Sequence, residues 1–199
     1  IGADIYNTAT KAAGVPVTLS VSVKPVTGDI VTASTTIVPM QMDVLWQAID
    51  STVPPLYRGK ALPTAEGTIR FWAFPDLRAS GKVVAPSTAM YTWKFGYVLD
   101  QKASGYGKNT FTVQGSSLDK GIHVDVLAAS KDATAQTGSA VDVVPSIPKI
   151  VWYEAGPSYG PRFSKALGDA YDIDGSDISL LAEPYFFSPG TPLSPNLLY

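Results

Sequence analysis

The feature that most constrains this chain is an aromatic run, Met90–Leu99, in which large side chains occupy every second position. Between Tyr91 and Leu99 the intervening residues are mostly polar or small. Alternation with period two places the large side chains on one face of a strand, whereas a helix would spread them around its circumference. The run therefore predicts a β-strand with one apolar face.

A second aromatic stretch, Thr68–Phe74, carries apolar bulk on both faces. Ile69 and Phe71 share one face, and Trp72 and Phe74 share the other. This pattern is typical of a central strand that is covered on two sides or meets a partner. We interpret the two stretches as neighbouring core strands of a β-sandwich.

Much of the remaining chain also predicts strands. The segments are Val17–Val23, Ile30–Val38, Asn109–Gln114, Gly121–Ala128, Ala140–Val144, Lys149–Glu154 and Leu180–Phe187. Pro75–Ser87, Asp100–Lys108 and Gly156–Pro161 are rich in turn residues and are expected to be loops. Short strands at regular spacing with Gly/Pro-rich turns favour an antiparallel β-sandwich or a jelly-roll-like barrel.

Two segments predict short helices within this all-β class. Asp43–Ile49 has apolar residues at spacings of three and four, with Asp43 placed to cap the first turn. A buried strand, Met42–Ile49, is the alternative interpretation of the same residues. The second candidate helix is Ser164–Tyr171, with Ser164 as its cap.

The domain organisation is expected to be one β domain over residues 1–187, followed by a Pro-rich C-terminal arm, 188–199. Proline excludes the arm from the centre of a sheet. The apolar side chains of the arm are Leu193, Leu197, Leu198 and Tyr199. They are expected to lie in a groove of their own domain or across a second copy, with Trp72 and Phe74 as the alternative contact. Because the chain begins with Ile1, it is interpreted as a processed or excised piece.

The charge pattern excludes several partners. The formal net charge is −2, and charged residues make up 16% of the chain against about 25% in typical proteins. No two Lys or Arg residues are adjacent, so nucleic-acid contact is not expected. Apolar runs are far shorter than the ~20 residues that span a bilayer, so membrane insertion is not expected either. No cofactor motif is apparent, and none is predicted.

Catalytic candidates are few. His123, the only histidine, shares the predicted outer face of its strand with Asp125, and we interpret it as an exposed strand histidine without a catalytic role. Its replacement by Ala is accordingly expected to leave folding and activity nearly intact. Glu154, beside Trp152 and Tyr153, is the least implausible acid for glycosidase chemistry, but the sequence supplies no partner carboxylate. We predict that the protein is not an enzyme.

An acidic loop is a weak candidate for a metal site. Asp172, Asp174 and Asp177 resemble part of a calcium loop, and carboxylates on a tight turn can share a hard cation. The residues that would complete the loop are missing, since Ala170 and Leu181 occupy those positions. A solvated acidic turn is the favoured interpretation.

Aromatic residues are the candidate ligand-binding groups. They are Tyr57, Tyr106, Trp152, Tyr153, Tyr159 and Tyr185, most of them in or near predicted loops. Exposed Tyr and Trp bring a large contact area at low entropic cost, which suits glycan or protein recognition. Capping of the core ends is the equally weighted alternative for about half of such residues.

Two short segments carry a resemblance to a known family. Gly67–Trp72 and Asp43–Trp46 are similar to pieces of the protruding domain of hepevirus capsids, and the general character resembles a capsid protein domain of a small non-enveloped RNA virus. The resemblance implies a shell or spike role on the virion surface, self-association as a dimer or trimer, and attachment to a host receptor or glycan. A secreted carbohydrate-binding or adhesin-like β-sandwich is the alternative.

Overall fold

The computed structural model describes residues 13–116, 121–168, 170–172, 175 and 177–188. Throughout these residues the chain is all-β, which confirms the predicted class. The strands are β1 (Val17–Val23), β2 (Val31–Ile37), β3 (Gln41–Ala48), β4 (Thr68–Asp76), β5 (Arg78–Ala79), β6 (Lys82–Val83), β7 (Met90–Phe95), β8 (Val98–Tyr106), β9 (Thr110–Gln114), β10 (Ile122–Ala129), β11 (Gln136–Val143), β12 (Lys149–Gly156), β13 (Gly160–Ala166) and β14 (Ser179–Tyr185).

Two antiparallel sheets enclose the main core. One has the order β3-β4-β9, and the other has the order β11-β10-β7-β8. Each sheet turns one apolar face inward, and Ile69, Phe71, Tyr91 and Trp93 are fully buried between them. The rings of Trp93 and Phe111 meet across this core with centroids 5.5 Å apart. The arrangement is a β-sandwich.

The two aromatic stretches are core strands of the sandwich, as predicted, and they belong to different sheets that share one core. Thr68–Phe74 lies in β4, between β3 and β9, while β7 pairs with β8 and β10. Both stretches contribute to the same hydrophobic cluster. Alternation fixes which face of a strand is buried, but it carries no information about which strand lies alongside.

The run Met90–Leu99 is also not one continuous strand. It turns back at Gly96 and Tyr97, whose φ angles are 52° and 70°, so that Phe95 pairs with Val98. Two successive positive φ values are the geometry of a two-residue hairpin turn. The predicted loop Asp100–Lys108 is consequently mostly strand β8, and Tyr106 is its last residue.

Both predicted helices are wrong in the described residues. Asp43–Ile49 lies largely in β3, close to the alternative buried strand, because Met42, Val44, Trp46 and Ala48 turn toward the core while their neighbours face outward. Ser164 to Ala166 are the last residues of β13, which pairs with β12. In each case pairing with a neighbouring strand satisfies the backbone, and this outweighs local helical spacing.

A third sheet, β13-β12-β14, is attached through the segment that follows β3. Thr52 exchanges backbone hydrogen bonds with Phe187 and Phe186, at 2.7 and 2.6 Å. Asp50 accepts hydrogen bonds from the backbone N–H of Thr68, at 3.0 and 2.9 Å, and from the hydroxyl of Ser188, at 2.8 Å. These contacts hold the segment 53–61 between the first sheet and the third.

The strands β1 and β2 form a separate hairpin that pairs only with itself in the described residues. The predicted loop Pro75–Ser87 contains the end of β4 and the small β5–β6 hairpin. The predicted C-terminal arm lies outside the described residues except for Ser188. The proposed single domain over residues 1–187 stays a prediction.

Candidate functional site

The outer face of β4 carries a row of large side chains. Ile69, Phe71 and Ala73 are fully buried, so the alternating residues Arg70, Trp72 and Phe74 face away from the core. The register with β3 places Leu45 opposite Trp72, and Asp43 opposite Phe74. Leu45 is 60% exposed and Phe74 is 50% exposed. This face is therefore an apolar surface that the sandwich itself does not cover.

The segment 53–61 forms a wall beside this face. Tyr57 donates its backbone N–H to the carbonyl of Pro54 at 3.2 Å, which closes a turn that contains Leu56 at a φ of 63°. The ring of Tyr57 makes edge contacts with Tyr185 and Phe186, with centroids 5.8 and 6.1 Å apart. The third sheet thus positions one side of the wall.

Wall and sheet face enclose a cleft of about 570 Å³. Its lining residues are Leu45, Trp46, Gln47, Val53, Tyr57, Gly59, Lys60, Ala61, Trp72 and Phe74. Four of them are aromatic, and the volume falls in the range of small-ligand sites. A larger depression of about 720 Å³ lies beside Lys131 and Asp132, but no aromatic residue lines it. We name the first of these the aromatic cleft.

Lys60 is the cation of the aromatic cleft. Its Nζ lies 3.1 Å from the centroid of the Trp46 ring, which is a cation–π contact. Partial burial lowers the pKa of Lys60 from its ordinary value. In the described part of the chain no carboxylate lies within ion-pair distance of this ammonium group. An ammonium group that has lost part of its hydration and has no counter-ion is electrostatically favourable for an anionic ligand.

Glu154 lies in a polar cluster on the third sheet. Tyr159 donates to its Oε1 at 2.7 Å, and Tyr171 donates to Oε2 at 3.1 Å. Arg162 approaches Oε2 at 3.4 Å and stacks over the Tyr159 ring at 4.3 Å. The hydrogen bond from Tyr159 is the largest cause of a lowered pKa for Glu154. A carboxylate that is held ionised in this way is a poor general acid.

Of the six aromatic residues predicted to bind ligand, Tyr57, Tyr185 and Tyr153 contact one another in series, and the other three lie elsewhere. Tyr57 lines the aromatic cleft, and Tyr159 belongs to the Glu154 cluster. Tyr106 is 58% exposed at the end of β8, and Trp152 is 49% exposed on β12. No single site brings them together.

Tyr153 and Tyr185 have a structural arrangement. Their hydroxyl oxygens lie 2.6 Å apart, and Tyr153 is buried against Phe163. Burial first, and then the hydrogen bond with Tyr185, raise the pKa of Tyr153 to about 12. A hydrogen-bonded phenol pair inside the third sheet suits packing better than ligand contact.

The sequence pattern did not predict Trp46 and Lys60 as residues that line the cleft. Trp72 and Phe74 had been predicted only as a contact surface or a covered face. The available signal was the doubly apolar pattern of Thr68–Phe74. It shows that a second aromatic face exists, but it does not show that segment 53–61 turns this face into a cleft.

His123 is less exposed than predicted. Its side chain is only 22% exposed, and its ring stacks on Tyr97 with centroids 4.6 Å apart. Nδ1 lies 2.6 Å from Asp142, and Nε2 lies 3.4 Å from Asp125. The hydrogen bond with Asp142 is the largest cause of a raised pKa for His123. Because both ring nitrogens face carboxylates, neither is available to activate a hydroxyl group.

The chain does contain the spacing Gly-x-Ser-x-Gly, at Gly156 to Gly160. These residues end β12, form a turn and begin the antiparallel strand β13. A nucleophile elbow requires a turn from a strand into a helix, which this segment does not provide. Ser158 at its centre is an exposed turn residue.

The metal candidate is only partly described. Asp172 and Asp177 belong to the described residues, whereas Asp174 lies outside them. Within the described ranges no group of three His, Cys, Asp or Glu side chains is arranged to hold a metal ion. The same ranges contain no helix that is long and apolar enough to span a membrane.

The chain matches no protein-family model, and no curated protein or solved structure shows significant similarity to it. Its class is therefore defined by its architecture: an all-β protein with an antiparallel sandwich, a third sheet, and an aromatic cleft between strands β3 and β4 and the segment 53–61.

Proposed function

We propose that this chain is a recognition domain of a viral surface projection, without catalytic activity, and that it binds saccharide in the aromatic cleft. The aromatic cleft carries the proposal. The apolar C–H face of a sugar ring packs on Trp or Tyr rings, while its hydroxyl groups need a few polar partners. Trp72 and Tyr57 supply the rings, and Gln47 supplies an amide that both donates and accepts. The viral setting rests on the sequence resemblance.

The four tryptophans of the chain allow a direct test. Trp46 and Trp72 line the cleft, Trp93 is buried in the core, and Trp152 is exposed on the third sheet. Saccharide binding should therefore change tryptophan fluorescence in a saturable way. Replacing Trp72 by Ala should weaken binding by about 30-fold, which corresponds to the ~2 kcal/mol of a central aromatic contact.

Trp152→Ala is the matched control for this test. It removes an equally large exposed ring away from the cleft, so saccharide affinity should stay within about twofold of wild type. Loss of binding in the Trp152 variant with retention in the Trp72 variant would move the site to the third sheet. A wild-type protein that binds no saccharide in a broad panel would contradict the proposal.

Self-association is the second part of the proposal, and the β1–β2 hairpin supports it. All of β2 and most of β1 are exposed, and neither strand contains a charged residue. An isolated two-stranded hairpin is marginally stable in water. Natural sheets usually protect their edges with charged side chains or proline, and these strands contain neither. A second copy of the chain fits this surface, because two uncharged hairpins neither repel each other nor require a charged partner.

Self-association also separates the proposed function from its alternative. A secreted carbohydrate-binding or adhesin-like module would share the aromatic cleft but would not need the hairpin contact. The viral projection requires several copies that present the cleft together.

A further inference from the structure

The aromatic cleft has a polar end that its aromatic lining does not explain. Gln47 lines the cleft, and the strand register places Arg70 directly opposite Gln47 on the same outer face. Lys60 lies over Trp46, the residue before Gln47. Lys60 is thus a lining residue of the cleft, and Arg70 lies outside the lining, across the strand pair from Gln47.

Neither cation is neutralised within the described part of the chain. Arg70 donates from its Nε to the hydroxyl of Thr112 at 3.3 Å, and no ion pair involves Arg70 or Lys60 there. A carboxylate on this face, that of Asp43, lies opposite Phe74, four residues along β3 from Gln47. Asp43 accepts a hydrogen bond from Gln41 at 3.1 Å. The face is thus polarised, with cations at one end and a carboxylate at the other.

On the basis of the proposed function, we infer that the saccharide bound in the aromatic cleft is acidic. One sugar ring lies on Trp72 and Phe74, and its carboxylate or sulfate group points to Lys60 and Arg70. An anion at this end restores the electrostatic interactions that Lys60 loses through partial burial. Arg70 offers a planar fork that binds carboxylate or sulfate through two hydrogen bonds. The neutral Gln47 amide donates to the same group or to a neighbouring hydroxyl.

The test compares matched probes on the intact chain by tryptophan fluorescence and calorimetry. The probes are a neutral oligosaccharide, its uronic-acid counterpart, its sulfated counterpart and poly-glutamate. We expect at least one acidic saccharide to bind about tenfold or more tightly than the neutral one, as a charge-assisted hydrogen bond in a partly dry site predicts. The preference should shrink at high salt, because screening weakens charge attraction.

Three variants complete the test. Lys60→Met and Arg70→Gln should each reduce the ratio of acidic to neutral affinity to within about threefold, since each removes one cation at the polar end. Lys82→Met removes the same charge from the exposed strand β6, away from the cleft, and should retain the wild-type ratio. Far-UV circular dichroism verifies that each variant is folded.

The outcomes separate this inference from the proposed function. Equal binding of neutral and acidic saccharides would overturn the inference while supporting the saccharide site. An acidic preference that Lys82→Met removes as strongly as Lys60→Met would also overturn it, because the effect would then reflect net charge. Poly-glutamate binding as tight as the acidic saccharide would replace the saccharide with an acidic peptide. Absence of any saccharide binding would overturn both proposals.

Discussion

At the residue scale, His123 makes the stability of the folded chain depend on pH. The ring lies between Asp142 and Asp125 and stacks on Tyr97, so three neighbours fix its position on the outer face of β10. Carboxylates on both sides favour the imidazolium form and raise the pKa of His123 above its ordinary value of 6.5. The group therefore contributes to stability as a cation, although it takes no part in the proposed recognition.

The sign of this contribution gives a testable prediction. The folded chain holds the proton more tightly than the unfolded chain, so the stabilisation is complete below pH 6.5 and is lost as the pH rises through the raised pKa. The free energy of unfolding should consequently fall as the pH rises above 6.5. Urea denaturation at a series of pH values measures it.

His123→Gln is the variant that isolates this effect. Because His123 is the only histidine, the N-terminal amino group is the other group that ordinarily titrates in this window, and it is common to both proteins. The variant should lose the fall in stability that the wild type shows. Parallel pH profiles for the two proteins would mean that the carboxylates do not act on the imidazole in solution.

At the scale of elements, the β7–β8 hairpin depends on its two-residue turn. Gly96 has a φ of 52°, and no other atom lies within 4 Å of the position of an added Cβ. A substitution there meets no neighbour and is opposed only by the left-handed backbone, which costs an L-residue about 1–2 kcal/mol. Gly96→Ala should therefore lower the free energy of unfolding by about 1 kcal/mol.

Gly121→Ala is the matched control for the turn. Gly121 has no positive φ, and the nearest atom to an added Cβ is the Val143 carbonyl oxygen at 3.8 Å. Its substitution should change stability by no more than about 0.5 kcal/mol. Equal urea midpoints for the two variants, with unchanged m values, would refute the role assigned to the turn.

The β7–β8 hairpin also shows which structural features the sequence pattern could predict and which it could not. Alternation correctly predicted the strands β1, β7 and β10, although most of β1 is exposed and only β7 and β10 bury one face in the core. It failed at Gly96 and Tyr97, since a Gly-Tyr pair is a weaker turn signal than Asn-Gly. It also failed for Asp43–Ile49, where pairing with β4 outweighed helical spacing.

The candidate site was predictable only in part for a related reason. Its floor comes from β3 and β4, whose register places Leu45 beside Trp72, and its wall comes from residues 53–61. Tyr57 is one of the predicted ligand-binding residues and lines the cleft, and its contact with a ligand stays a prediction. Strand register and the course of a connecting segment depend on tertiary contacts such as those of Asp50, which no local pattern encodes.

At the scale of the whole molecule, the β1–β2 hairpin is the surface on which self-association is expected. Val21, Val23 and Val31 share one face, and they are 53%, 60% and 67% exposed. Large aliphatic side chains contribute roughly 1.5–3 kcal/mol each when they become fully buried. Packing two such faces together would stabilise both the hairpin and the assembly, so the intact chain should sediment as a dimer or trimer at micromolar concentrations.

Like charges on the exposed valine face of the β1–β2 hairpin should prevent two copies of the chain from associating. Replacing Val21 and Val31 by Lys places like charges in the proposed contact, which should give a monomer in analytical ultracentrifugation without loss of the saccharide site. Leu180→Lys, at a residue that is 46% exposed on the third sheet, is the matched control and should sediment like wild type.

Truncation after Phe187 tests the alternative contact through the C-terminal arm. A truncated protein that becomes monomeric, while the Val21/Val31 variant stays oligomeric, would transfer the contact from the hairpin to the arm, and a monomeric wild type would favour the carbohydrate-binding module.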